Sequence, residues 1–259
     1  IAQRISRQNN SPYIVSIRYS DIALFESISQ NSSTFRLAKS CIEEANDIHV
    51  LNEFTGQWIN EKFQVNYTVI PHGINLPKSK RVTSQNKKII ISCVAEFIPL
   101  KKIDWVINAV KSYKGDADIA LKIVGKGPLQ KKLHVLKGTD SRIQFLGYIP
   151  HNEVMEILTE SHIFAMPSTK ETFGLVYLEA AATHNAIIAF NKYSINGVFE
   201  SEKEALFCSG YIDFKDQLHQ LISDPKLVKN LADNALKKVQ HMSWDSIIKK
   251  YNHLYNSIV

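Results

Sequence analysis

Residues 162–190 read HIFAMPSTKETFGLVYLEAAATHNAIIAF and contain an apolar run, a polar loop, a helical pattern and a second apolar run. HIFAMP (162–167) and AIIAF (186–190) have the length and residue types of buried strands. VYLEAAATH, which lies between them, has apolar residues at helical spacing. Two short strands joined through a helix form a right-handed βαβ unit with parallel strands. The stretch therefore predicts an α/β fold with a parallel sheet.

The same alternation of strand and helix patterns fills the second part of the chain. Its other strand-like runs are KIIISCVA (88–95), IALKIV (119–124) and RIQFLG (142–147). Each run is followed by a helical pattern, and three more helical stretches close the chain. We predict a doubly wound Rossmann-like domain at 89–242. The last helix, 243–259, is expected to pack back on the N-terminal domain.

Residues 1–74 show an incomplete form of this pattern. They contain the strand-like runs PYIVSI, DIHVL and YTVIP, with a long helical region between the first two. A Rossmann-like domain has about six strands, so we expect only its second half here. Segment 75–88 is polar, contains proline and lacks periodicity, which predicts a linker. The expected architecture is two Rossmann-like domains with parallel sheets, the N-terminal one incomplete.

Composition excludes several classes of protein. The 259 residues are 44% hydrophobic and carry a net charge of +6, without a Lys/Arg block or zinc-finger spacing that would predict nucleic-acid binding. The three cysteines are widely spaced, which argues against a disulfide framework and favours a cytoplasmic setting. No apolar run approaches the roughly 18 residues that a membrane helix needs, and no signal peptide is recognised. Any membrane contact is expected to be peripheral.

The loop PSTKETFG (167–174) lies at the carboxyl end of a predicted strand, where parallel sheets bind ligands. The amides of Phe173, Gly174 and Leu175 would form a helix N-terminus that attracts phosphate. Glu171 and Glu179 would then accept hydrogen bonds from the hydroxyls of a sugar. A structural alternative stays open: Ser168-x-x-Glu171 matches a capping box, and Glu179 could be a solvated helix residue.

Residues 86–200 resemble the donor-binding half of a family 4 glycosyltransferase of the GT-B fold. The matching stretches are FIPLKKIDWVINA (97–109), LKIVGKGPL (121–129), FLGYIPHNEV (145–154), MPSTKETFGLVYLEA (166–180) and, at the interdomain junction, YTVIPHGIN (67–75).

The resemblance implies roles for individual residues. Glu171 would contact the donor sugar near its anomeric carbon, Lys101 would bind the diphosphate, and Glu179 would bind the ribose. Phe173, Gly174 and Leu175 would offer backbone amides to the donor, and the remaining donor-binding residues are Ile149 and Gly125. Of these, Ile149 would hold the base.

The resemblance also implies an activity: a retaining, metal-independent glycosyltransferase with no cofactor. Its donor would be a nucleoside-diphosphate sugar, with UDP favoured over GDP. Its acceptor would be a glycan or lipid-linked glycan in surface polysaccharide biosynthesis. Such a basic chain would work in the cytoplasm, at the inner face of an anionic membrane.

Two of the departures from the family pattern are at charged positions. Glu96 replaces an arginine that commonly precedes the lysine by five residues, and Arg18 replaces a histidine on the acceptor side, where Asp21 retains the usual acid. The first departure leaves open a non-catalytic nucleotide-sugar-binding subunit or fragment, and a GT-B nucleotide-sugar epimerase is a further alternative. GKGPLQ (125–130) lacks the third glycine of a dinucleotide fingerprint. DAD (116–118) precedes a strand and is interpreted as a surface turn, not a metal site.

Overall fold

The computed structural model describes residues 1–77, 88–171, 173–192, 195 and 197–259. Most of the predicted linker, residues 78–87, lies outside the described residues. The chain divides into two compact units. Unit 1 comprises Ile1–Gly73 and Met242–Val259, and unit 2 comprises Ile74–His241.

Unit 1 is built on a three-stranded parallel sheet of order β1-β2-β3. Its elements are α1 (Ala2–Asn9), β1 (Ile14–Ile17), α2 (Tyr19–Ser27), α3 (Ser33–Glu43), β2 (Asp47–Val50), α4 (Glu53–Phe63), β3 (Thr68–Val69) and α11 (Trp244–Ile258). Its core contains an aromatic cluster in which the Phe25 ring lies 5.9 Å from Phe35 and 5.2 Å from Phe63.

The C-terminal helix α11 belongs to unit 1. Ile247 and Leu254 are buried against Ile70 at the end of β3. The Tyr251 hydroxyl lies 3.2 Å from Nε2 of His49 on β2. Apolar burial and one polar contact therefore attach the end of the chain to the first sheet.

Helix α4 was not expected from the sequence. Gly56 lies inside it, and glycine in a helix interior costs about 1 kcal/mol relative to alanine. A Cβ at Gly56 would lie 2.1 Å from the Tyr67 ring, so the glycine admits that ring against the helix. The Asn52 side chain caps the helix by accepting from the Thr55 amide at 2.9 Å.

Unit 2 is a doubly wound α/β domain, and the predicted fold class is confirmed. Its elements are β4 (Ile89–Val94), α5 (Ile103–Ser112), β5 (Ile119–Val124), α6 (Gln130–Lys137), β6 (Ile143–Gly147), α7 (His151–Glu160), β7 (Ile163–Met166), α8 (Leu175–Ala182), β8 (Ala186–Phe190), β9 (Leu206–Cys208), α9 (Tyr211–Ser223) and α10 (Pro225–Val239). Within the described residues its sheet is parallel, with strand order β6-β5-β4-β7-β8-β9. Strand β9 was not expected, because three residues are too few to show a period.

The core of unit 2 is apolar on both faces of this sheet. Ile91, Ile123 and Phe164 are fully buried, as parallel strands covered by helices require. The thiols of Cys93 and Cys208 are also buried, and burial raises the pKa of each to about 12. Across the part of the chain that the structure describes, no helix is both long and apolar enough to cross a membrane.

Candidate functional site

The strand order of unit 2 makes β4 and β7 neighbours, although they are far apart in the chain. The chain winds from β4 outward to β6, then returns to β7 and continues to β9, so β4 and β7 are neighbours where the order reverses. Crevices at such switch points, beyond the carboxyl ends of the strands, are where open α/β sheets bind ligands. Here β4 leads into a short 3-10 turn, Pro99–Lys101, and β7 leads into the loop before α8.

Two hydrogen bonds from Thr169 fasten these two loops together. The Thr169 amide donates to the Leu100 carbonyl at 2.9 Å, and its hydroxyl donates to the same oxygen at 3.2 Å. The loop after β7 is thus tied to the residue that immediately precedes Lys101.

Lys101 and Glu171 meet across this junction. The Lys101 ammonium donates to Oε2 of Glu171, and the two side chains are only 17% and 15% exposed. The sequence placed both residues in a donor site but did not anticipate that they contact each other. A cation and a carboxylate in a mostly buried pair form a strong, charge-assisted hydrogen bond.

Gly174 forms the N-terminus of α8. It adopts a left-handed conformation with φ 73° and ψ 66°, and α8 begins at the next residue, Leu175. A Cβ at Gly174 would lie 2.6 Å from the Tyr177 ring and 3.1 Å from Cγ of Glu171. The glycine therefore lets the helix N-terminus approach both the buried ring and the carboxylate.

The capping-box alternative for Ser168 and Glu171 is wrong. Helix α8 begins at Leu175, too far along the chain for Ser168 to cap it. The Ser168 hydroxyl instead donates to the Lys170 carbonyl at 3.1 Å. Of the three predicted amide positions, Phe173 is buried, Gly174 is the cap and Leu175 is 42% exposed.

Glu179 lies on α8 and contacts His151, the first residue of α7. Nε2 of His151 lies 2.8 Å from Oε1 of Glu179. The Glu179 side chain is 19% exposed and that of His151 is 68% exposed, so the contact lies at the protein surface. A carboxylate held in place by an imidazole is preorganised to accept a ligand hydroxyl with its other lone pairs.

Gly125 follows β5 and packs directly against the neighbouring loop. A Cβ there would lie 1.9 Å from the Ala95 carbonyl oxygen, so only glycine fits. Its amide donates to the Gly147 carbonyl at 2.8 Å, joining the ends of β5 and β6. The next residue, Lys126, places its ammonium 4.9 Å from the centre of the exposed Tyr148 ring. Ile149, the predicted base contact, follows Tyr148 and is partly buried.

Lys102 and Glu96 are charged residues close to Lys101 in the chain, and their surroundings differ from those of Lys101. Lys102 has φ 51° at the start of α5, and its ammonium lies 5.5 Å from the centre of the Trp105 ring. Glu96 is exposed. Among these charges near the β4 turn, Lys101 is the one paired with a predicted sugar-binding residue.

The acceptor-side candidates lie in unit 1. Asp21 accepts from the Arg18 amide at 2.7 Å, which secures the first turn of α2. The Arg18 guanidinium lies 3.3 Å from Nε2 of His72. Burial, followed by the charge of Arg18, lowers the pKa of His72, which favours its neutral form. Arg18 and Asp21 are therefore both close to the N-terminus of α2.

Sequence reasoning missed several residues of these clusters. His151 and Tyr148 lie in FLGYIPHNEV and follow the same strand, so position after a strand was the available signal. His72 lies in YTVIPHGIN, directly after β3. Their partners were not readable, because each is remote in sequence.

The described residues contain no group of three or more His, Cys, Asp or Glu side chains placed to hold a metal ion. Within DAD, Asp118 forms an ion pair with Lys88 at 3.4 Å. Lys88 immediately precedes β4, and Asp118 immediately precedes β5.

Residues 77–238 match the family described as Glycosyl transferases group 1. The chain is 23% identical over 251 residues to an uncharacterized glycosyltransferase of Methanocaldococcus jannaschii, covering 95% of this chain and 69% of that protein. It is 28% identical over 186 residues to the N-acetyl-alpha-D-glucosaminyl L-malate synthase of Bacillus anthracis, covering 68% of this chain and 47% of that enzyme. This chain therefore aligns with only about half of the second relative.

Solved structures share the fold at low sequence identity. A sucrose-phosphate synthase from Thermosynechococcus elongatus superposes with a TM-score of 0.81 at 19% identity, covering 99% of this chain and 70% of that one. HepE of Anabaena, in complex with UDP and glucose, superposes with a TM-score of 0.77 at 17% identity, covering 97% and 73%.

Proposed function

Because the chain belongs to the glycosyltransferase group 1 family, we propose that it transfers a sugar from a nucleoside-diphosphate sugar with retention of configuration. UDP is the favoured nucleotide, and the acceptor is a glycan or lipid-linked glycan of surface polysaccharide biosynthesis. The observation that carries the proposal is the contact between Lys101 and Glu171 beside the N-terminus of α8. This contact places Lys101, the proposed cation for the diphosphate, next to Glu171, the proposed acceptor of hydrogen bonds from the sugar.

The proposed donor pose follows the order of these side chains. The ribose lies against Glu179, and the base lies near Ile149 at the end of β6. Lys101 and the amides at Phe173–Leu175 receive the diphosphate, which places the sugar at Glu171. HepE, a structural neighbour, was solved with UDP and glucose, which supports this class of ligand.

The proposed chemistry is a front-side displacement. The bond between the anomeric carbon and the leaving phosphate oxygen breaks as the acceptor hydroxyl adds on the same face, and the diphosphate takes the acceptor proton. Negative charge grows on the diphosphate during this step, so a fixed cation and a helix N-terminus stabilise the transition state more than the ground state. A metal ion has no role in the proposed step.

The acceptor is proposed to bind unit 1 near Arg18. Asp21 already holds the backbone of α2, so its contribution is to position Arg18. The net charge of +6 is consistent with work at an anionic membrane surface on the cytoplasmic side.

The test is hydrolysis and transfer with UDP-glucose, UDP-N-acetylglucosamine, UDP-galactose and GDP-mannose, followed by proton NMR of the released sugar. We expect turnover of a UDP-sugar, an α-anomer as first product and full activity in EDTA. Loss of activity in EDTA that Mg²⁺ or Mn²⁺ restores would contradict the metal-independent step. A β-anomer as first product would contradict retention.

Two lysine variants sharpen this test. Lys101→Met should lower kcat by about 10²–10³, as loss of one preorganised donor does in other enzymes, with a smaller change in KM. Lys102→Met is the matched control, since that ammonium faces Trp105, and it should be nearly silent. Equal effects of the two variants would contradict the role of Lys101.

A non-catalytic nucleotide-sugar-binding subunit is the second candidate. The observation that favours it is Glu96, an exposed carboxylate where the family resemblance implies an arginine. It predicts that the chain binds a nucleotide sugar but neither hydrolyses nor transfers it. The assay above separates the two functions.

A further inference from the structure

The contact between Lys101 and Glu171 has a consequence for how the donor binds. In the structure Lys101 donates to Glu171, although the proposed site needs Lys101 on the diphosphate and Glu171 on the sugar. The contact is built into the fold, since the Thr169–Leu100 hydrogen bonds hold its two loops together. Both side chains are more than four-fifths buried, so water stabilises neither charge well once the pair opens.

A diphosphate that recruits Lys101 therefore leaves a carboxylate without its cation. Glu171 would then keep its charge in a largely buried position, where water stabilises it poorly. Sugar hydroxyls can replace the lost ammonium, because a carboxylate accepts several hydrogen bonds. A nucleoside diphosphate without its sugar offers no such replacement.

We propose that the Lys101–Glu171 pair is an exchange contact that makes the site select the nucleotide sugar over the free nucleotide. The proposal rests on the proposed function and deepens it. Donor binding moves Lys101 from Glu171 to the diphosphate, and the sugar takes its place on Glu171. After transfer the sugar is gone, Glu171 recovers Lys101, and the nucleoside diphosphate is released more readily.

Glu171→Gln tests the exchange by isothermal titration calorimetry. The amide keeps the shape of the side chain but holds Lys101 weakly, so UDP should bind about three- to tenfold more tightly than to the wild type. Preference for a UDP-sugar over UDP should fall by about tenfold, because a charge-assisted hydrogen bond to the sugar is lost. Unchanged or weaker UDP binding would overturn the exchange.

Two further variants separate exchange from simple repulsion between Glu171 and phosphate. In a Lys101→Met background the gain from Glu171→Gln should disappear, since no ammonium remains to be released. Glu171→Asp keeps the charge and withdraws the carboxylate, and it should tighten UDP binding in the Lys101 protein. A gain that persists without Lys101, or a loss of affinity with Glu171→Asp, would overturn the proposal.

The same titrations distinguish failure of this inference from failure of the proposed function. If the wild type binds neither UDP, GDP nor their sugars, the proposed function and the exchange both fail. If it binds UDP but Glu171→Gln brings no gain, only the exchange fails. Thermal unfolding and circular dichroism of each variant establish that the comparison is made between folded proteins, with Lys102→Met as the charge-removal control.

Discussion

Substitution of Gly174 by alanine is the sharpest test of how the helix N-terminus is built. Gly174 has φ 73°, and a Cβ there would lie 2.6 Å from the Tyr177 ring. That ring cannot easily yield, because Tyr177 is fully buried and its hydroxyl donates to the Met166 carbonyl at 2.6 Å. The substitution therefore combines an unfavourable backbone conformation with a steric clash.

Gly147 provides a matched control. It has φ 72°, nearly the same as Gly174, but a Cβ there would meet no atom within 4 Å. An L-residue in the left-handed region costs about 1–2 kcal/mol at either position. Alanine also restricts the unfolded chain more than glycine does, which stabilises the folded protein by about 0.4–1 kcal/mol at both positions. These two effects cancel in the comparison.

What remains is the overpacking at Gly174, which typically costs about 1–3 kcal/mol. Gly174→Ala should therefore lower the free energy of unfolding by about 1–3 kcal/mol more than Gly147→Ala. It should also raise KM for the nucleotide sugar, because relief of the clash displaces Glu171. Urea denaturation, monitored by tryptophan fluorescence, measures the free energy of unfolding of each variant. Equal destabilisation by the two alanines would refute the packing argument.

Two further predictions follow from the histidine contacts. Glu179→Ala should weaken UDP binding by about 1–3 kcal/mol, the cost of leaving a ribose hydroxyl without its charged partner. His151→Gln, which can still donate to that carboxylate, should weaken it less, and calorimetry giving the reverse order would contradict the ribose assignment. In unit 1, burial lowers the pKa of His49 below its ordinary value of 6.5. The unfolded chain then binds the proton first, so this contribution to stability is present above pH 6.5 and is lost as pH falls through the lower folded pKa. The drop in thermal midpoint from pH 7 to pH 5 should shrink in His49→Gln but not in a control variant of the exposed His253, and an equal drop in both would exclude His49 as the cause.

Local patterns in the sequence determined the α/β class and the strands β4–β8. Each of those strands is a continuous apolar run, and each helix between them repeats its apolar residues at helical spacing, so a short window was sufficient. Short stretches of sequence did not predict α4, because Gly56 disfavours a helix. Packing of the Tyr67 ring against Gly56 stabilises that helix in the folded protein. Short stretches also failed for β9, which is only three residues long.

The positions of Lys101, Glu171 and Glu179 could be proposed from the sequence because a family resemblance assigns a role to each. A resemblance identifies positions in the chain and not the contacts that their side chains make. The resemblance did not identify His151 as the partner of Glu179, or show that Glu171 is held by Lys101.

Only the tertiary structure decided those partners. Lys101 and Glu171 are 70 residues apart, and they meet because β4 and β7 are neighbours where the strand order reverses. His49 and Tyr251 are 202 residues apart, and they meet because α11 packs on the first sheet. Periodicity reports which face of an element is buried, whereas the identity of its neighbour depends on how the whole sheet is wound and on which packing buries the most apolar surface.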